Sequence, residues 1–123
     1  MTKDELKQAR QALVAGMKSY IAIFAEENRT EPYAAADADR CGDILDHYLS
    51  YLFASQRSDN EVIAQVEVAV KALNALNEKC GYSLIETDER ENLCTIIIEA
   101  ARLCGYQFPD DDDDDITFEW RDW

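Results

Sequence analysis

The sequence predicts an all-α protein, an antiparallel bundle of about four helices. Two observations carry that expectation. Apolar residues recur every three or four positions through four segments of roughly 17 to 26 residues, the period of a helix with one buried stripe. Turn-forming residues are scarce, four Gly and two Pro in 123 residues, while 47% of the chain is hydrophobic. That is enough apolar side chain for one real core in a chain of single-domain length.

The first helix is announced by Thr2 and Glu5, a T-x-x-E capping box in which each side chain satisfies the other residue's free backbone N–H. Leu6, Ala9, Leu13, Met17, Tyr20 and Phe24 then form one stripe, which should run to about Asn28. Thr30 is the expected N-cap of the second helix, with Pro32 tolerated in its first turn. Its stripe is Ala34, Ala38, Cys41, Ile44, Leu45, Tyr48 and Leu52, and Asp39, Asp43 and Asp46 project from the other side. Asp37 differs, because its helical angle falls beside Cys41 and Ile44. If buried it needs a partner, and Arg10 and Arg40 are the candidates.

Ser58 and Glu61 form a second capping box and open the third helix. Val62, Ile63, Val66, Val70, Leu73 and Asn77 make its main face, but Ala64, Val68 and Ala75 lie on the other side. A helix apolar nearly all round is either central or covered by something else. Thr87 is the expected N-cap of the fourth helix, with Asp88, Glu89 and Glu91 complementing its N-terminal dipole. Leu93, Ile96, Ile97, Ile98, Ala100, Leu103 and Cys104 cover a wide arc that should be well buried. The tripeptide CGY occurs at Cys80–Tyr82 and again at Cys104–Tyr106. Both copies fall where a helical pattern stops, with Gly suited to the left-handed residue that ends a helix.

Residues 1–109 therefore read as one helical domain and 110–123 as an acidic C-terminal segment. That segment runs PDDDDDDITFEWRDW from Pro109. The net charge is −14; residues 110–123 hold eight acids against one Arg, and the other 109 residues hold eighteen acids against eleven bases. Half the excess charge thus sits in about a ninth of the chain. Its aromatic end predicts docking on the bundle rather than a free tail, since one buried Trp contributes about 2–3 kcal/mol. Alternation of Ile116, Phe118 and Trp120 suits an extended stretch, although Asp115 or Thr117 could instead cap a last helical turn.

This charge excludes partners held through phosphates or anionic lipid, so neither nucleic acid nor a membrane surface is expected. No run of 18 apolar residues is present, and MTKDELKQAR has no apolar signal core, so a cytoplasmic, reduced protein is expected. The catalytic inventory is thin. His47 stands alone, no G-x-S-x-G or Gly-rich phosphate loop occurs, and Cys41, Cys80, Cys94 and Cys104 contain no C-x-x-C pair. The aspartate run is no EF-hand, since Asp115 and Arg121 stand where that loop needs Gly and Glu. No metal or other cofactor is expected.

In size, acidity, compartment and lack of catalytic groups, the chain resembles small acidic immunity proteins and antitoxins, which bind a toxic nuclease and block it. The resemblance implies a non-enzymatic protein that neutralises a basic protein. The residues themselves suit such a capture, the acids steering the encounter and the interspersed aromatics anchoring it. The residues expected to face that partner are Asp110, Asp111, Asp112, Asp113, Asp114, Asp115, Glu119, Trp120 and Trp123, with Asp39, Asp43 and Asp46 second. Two alternatives stand beside it: a metal-dependent bundle enzyme centred on Asp43, Asp46 and His47, and a scaffold that self-associates through the second apolar side of the third helix.

Overall fold

The computed structural model describes residues 1–109 and 115–123. Its four helices are α1 (Lys3–Glu26), α2 (Ala35–Ala54), α3 (Asp59–Lys79) and α4 (Thr87–Leu103). They pack as a four-helix bundle whose interior is built from the stripes of all four, including Leu13, Leu45, Leu52, Val66, Leu73, Leu93 and Ile97. Cross-links fix the directions. Lys18 pairs with Asp39 at 2.7 Å and Arg10 with Asp46 at 2.9 Å, so α1 and α2 are antiparallel. Lys79, at the end of α3, meets Asp37, at the start of α2. The buried Tyr48 hydroxyl of α2 donates to the Ile97 carbonyl of α4 at 2.8 Å, which satisfies the one polar atom that ring brings into the core.

The central element is α2, which packs on α1, α3 and α4. The third helix is not central, and its second apolar side is open: Val68 is 50% exposed, and Ala64 and Ala75 are exposed too. The backbones of α3 and α4 stay apart along nearly their whole length. Two later segments help to close the fold. Leu84 and Ile85 of the α3–α4 connection are buried, with the Ile85 N–H donating to the buried Asn77 side chain at 3.0 Å. Ile116, Trp120 and Trp123 also pack against the core.

Helix ends follow local chemistry. The capping boxes at Thr2/Glu5 and Ser58/Glu61 both form. Thr30 does not cap α2; its N-cap is Ala34, and Asp37 reaches back to accept the Ala34 N–H at 3.0 Å. Thr87 is likewise the first residue of α4 rather than its cap, and Glu89 accepts the Glu86 N–H at 3.1 Å. An acid at the third helical position thus does part of the cap's work where the cap residue itself makes no side-chain bond. Both CGY copies end a helix with paired reverse bonds: Tyr82 N–H to Asn77 and Gly81 N–H to Glu78, then Tyr106 N–H to Ala101 and Gly105 N–H to Arg102. Both glycines have positive φ, 64° and 90°. Asn28, at φ 54°, closes α1 in the same way.

Three burial expectations fail. Ala34 is exposed, because it is the N-cap of α2 and stands before its first turn. Leu103 is 42% exposed, because the last turn of α4 runs past the end of the core, and Tyr20 is 42% exposed on a groove described below. The alternation at residues 116–120 also fails to give an extended stretch. Phe118 and Trp120 donate backwards to the Asp115 and Thr117 carbonyls, closing a helical turn that Asp115 caps through the Thr117 N–H at 3.1 Å. Ile116 and Trp120 then share the inward side, and Phe118 is left 71% exposed.

Candidate partner-binding site

The C-terminal turn is held from two helices. On α3, the Asn74 side chain donates to the Trp120 carbonyl at 2.7 Å and accepts the Asp122 N–H at 3.3 Å. On α4, the Cys94 sulfur lies 3.5 Å from the Thr117 hydroxyl, which is completely buried. Arg121 folds back over the turn, donating to Asp115 at 3.0 Å, to the Thr117 hydroxyl at 3.2 Å and to the Trp123 carbonyl at 2.8 Å. Partial burial opposes charge on Asp115, but hydrogen bonds from Thr117 and Arg121 prevail and hold its carboxyl below the usual range. Beside the turn lies a groove of about 400 Å³, lined by Ile63, Tyr106, Pro109, Asp115, Ile116, Glu119 and Trp120.

The residues expected to face a partner are distributed unevenly. Asp110, Asp111, Asp112, Asp113 and Asp114 lie outside the described residues. Asp115 is paired with Arg121. Glu119 is exposed on the groove, whereas Trp120 and Trp123 are half-buried and serve the fold. Asp39 and Asp46 are neutralised by Lys18 and Arg10. Asp43 faces a second groove, between α2 and α3, with His47, Ile44, Gln65 and Val68. Asp46 turns instead toward α1, so Asp43, Asp46 and His47 do not converge. Among the described residues no group of three or more His, Cys, Asp or Glu is placed to hold a metal ion. Burial pushes the Cys41 thiol up to about 12 and raises Cys80, Cys94 and Cys104 as well, which keeps all four protonated and poor nucleophiles near neutrality. Asp37 takes Lys79 at 2.7 Å and Arg40 at 3.2 Å as partners; Arg10 is committed to Asp46.

No family model, curated protein or solved structure matches this chain. Its surfaces therefore have to be read from their own chemistry.

A third groove, also about 400 Å³, separates the second half of α1 from the start of α4. Ala12, Gly16 and Tyr20 come from α1, Tyr33 from the α1–α2 connection, and Glu86, Asp88, Glu89 and Asn92 from the start of α4. The Tyr20 ring stacks on Tyr33 with centroids 6.4 Å apart and meets Phe24 edge-on at 5.1 Å. No Lys or Arg lines this groove. Unlike Asp39, Asp46 and Asp115, its three acids have no cation within ion-pair distance among the described residues. Sequence reasoning missed it because Tyr20 reads as a core residue and Asp88 and Glu89 read as complements to the dipole of α4. The residues meet only in three dimensions.

Proposed function

We propose that this chain is a non-enzymatic acidic binding protein that neutralises a basic protein, acting as a cytoplasmic immunity protein or antitoxin against a nuclease-type toxin. The observation that carries this reading is the net charge of −14, half of it in residues 110–123. Beside the C-terminal turn, Tyr106, Ile116 and Trp120 line a groove together with Ile63, Pro109, Asp115 and Glu119. Concentrated negative charge and an aromatic-lined groove suit a basic protein: charge speeds the encounter, and the aromatic contacts slow release. No helix among the described residues is long and apolar enough to cross a membrane.

The test is binding to basic nucleases of the toxin class, measured from about 50 to 300 mM salt, a range over which charge-driven affinity changes steeply. Replacing Asp110–Asp114 with Asn should weaken binding at least about tenfold and flatten the salt dependence. An affinity indifferent to both salt and those substitutions would sink this reading.

The α2–α3 groove favours a second reading, self-association. Val68 is 50% exposed there, and the Gln65 side-chain oxygen is buried with no hydrogen-bond partner. A second copy would cover the valine. Light scattering decides it, since a monomer that persists at high concentration removes the reading.

A further inference from the structure

The seam between α3 and α4 is a peptide groove that is already occupied. The two helix backbones stay apart along nearly their whole length, and the C-terminal turn bridges them. Asn74 of α3 holds that turn by its main chain, bonding the Trp120 carbonyl and the Asp122 N–H. Cys94 of α4 meets the fully buried Thr117 hydroxyl. Ile116, Trp120 and Trp123 supply the apolar contacts. As in peptide recognition generally, main-chain bonds hold the segment and its side chains select it.

The turn is also a unit in itself. Asp115 caps it through the Thr117 N–H, and Arg121 closes it by bonding Asp115, the Thr117 hydroxyl and the Trp123 carbonyl. All of these bonds lie within residues 115–123, so they persist when the turn leaves the bundle. Among the described residues, its polar links to the bundle are the two bonds with Asn74 and the Cys94–Thr117 contact. Docking is incomplete as well. The Trp123 indole N–H is buried without a hydrogen-bond partner, and a groove of about 400 Å³ stays unfilled beside Ile116 and Trp120. An unpaired buried donor and missing contacts both make a docked element easier to open than the helices beneath it.

We propose that this turn is exchanged between two copies of the chain, residues 115–123 of each docking in the α3–α4 seam of the other. The occupant is the one whose fit to the seam is seen, and exchange re-forms the same contacts, which makes it a low-cost route to a dimer. Five residues separate Pro109 from Asp115, a reach of at most about 20 Å, so the two seams lie close together in the pair. Because no contact is gained, the dissociation constant is set by the effective concentration of a turn at its own seam, on the order of millimolar for a short tether. Two chains of net charge −14 repel each other, so salt favours the exchanged pair. None of this depends on a basic partner.

The experiment uses full-length Thr117→Cys, which puts a thiol where the Thr117 hydroxyl lies 3.5 Å from the Cys94 sulfur. Oxidation by diamide joins those two sulfurs, within one chain when the turn is in its own seam and between chains when it is exchanged. Unlabelled and heavy-isotope-labelled protein are mixed at about 10 μM and at about 1 mM, concentrations on either side of the expected midpoint, then equilibrated, oxidised and digested. Linked peptides with one light and one heavy half report exchange. They should make up at least about a tenth of the linked pairs at about 1 mM and about a hundredth or fewer at about 10 μM, and should rise further in about 300 mM salt. Unmixed peptides alone at both concentrations would overturn the exchange. A dimer by light scattering whose peptides are all unmixed would overturn it too, and would place association on another face such as the α2–α3 groove. If Thr117→Cys loses the helical circular dichroism, Asn74→Cys combined with Asp122→Cys, at a site now joined by a 3.3 Å bond, replaces it with the same expected outcomes.

Discussion

Asp37 is 7% exposed and has three partners: the Ala34 N–H at 3.0 Å, Arg40 at 3.2 Å and Lys79 at 2.7 Å. The Lys79 hydrogen bond, helped by the Ala34 N–H, holds its carboxyl below the usual range. A depressed carboxylate stabilises the fold fully above its unfolded pKa, near 3.9, and loses that contribution as pH falls through the folded value. Asp37→Asn should therefore cost about 1–2 kcal/mol at pH 7, and the gap to the unaltered protein should close toward about pH 3. Urea midpoints at the two pH values check this; a gap that stays constant would mean the charge contributes nothing. That Asp37 lies against the core is legible from its helical angle. That Lys79 is its closest cation is not, because 42 residues separate them and only the antiparallel packing of α2 and α3 brings them together. Two glycines make a matched pair at the same scale. A Cβ on Gly16 meets nothing, whereas on Gly42 it would come within 2.5 Å of the Arg10 guanidinium and 3.0 Å of Val14. Gly16→Ala should stabilise by about 0.5–1 kcal/mol through helix propensity alone. Gly42→Ala should gain nothing or destabilise, since Arg10 must move and strain its pair with Asp46. Thermal melts of the two variants should shift in different directions, or at least differ by a few degrees.

Helix existence is legible throughout because each stripe is long and its period unambiguous, and the starts of α1 and α3 are legible because both halves of their capping boxes are in the sequence. The starts of α2 and α4 are displaced because Thr30 and Thr87 look like caps while Asp37 and Glu89, reaching backwards, satisfy other backbone groups. The C-terminal turn is harder still. Its spacing allows either period, and what decides between them is Arg121 closing over Asp115 and Thr117, together with Asn74 on a helix 46 residues away. This element can be watched directly, because both tryptophans of the chain, Trp120 and Trp123, lie in it. Asn74→Ala removes one donor and one acceptor from the segment's backbone, a loss of about 1–3 kcal/mol that falls on the turn before it reaches the bundle. Its tryptophan emission should move to the red and alkylation of Cys94, mapped by mass spectrometry, should speed up several-fold, while the helical circular dichroism is retained. An emission spectrum identical to that of the unaltered protein would mean that Asn74 does not hold the segment.

At the scale of the whole molecule the question is how a fold carries a charge of −14. Part of the answer is local. Lys18, Arg10, Lys79 and Arg121 each sit against an acid, so several aspartates that look available in the sequence are neutralised inside the structure. That is why the unpaired acids of α2 are only partly legible: the sequence counts charges, but the packing of α1 on α2 decides which remain unpaired. The acids of the α1–α4 groove are not offset by these pairs. Salt distinguishes the two populations. It screens charges separated by more than about 10 Å at 0.1 M far more than ion pairs in contact, so it relieves long-range repulsion while leaving most of the pairing intact. If repulsion dominates, the melting temperature should rise by a few degrees between about 20 and 300 mM sodium chloride. Replacing Asp110–Asp114 with Asn takes the formal charge from −14 to −9. Since self-repulsion grows roughly as the square of net charge, that variant should keep only about two-fifths of the salt response and be at least as stable at low salt. Such a result would show the aspartate run to be a standing cost to the fold, which gives it a reason to exist outside the fold, in binding. A melting temperature that falls with salt would show instead that the internal pairs outweigh the repulsion, and the excess charge would then carry no such argument for a partner.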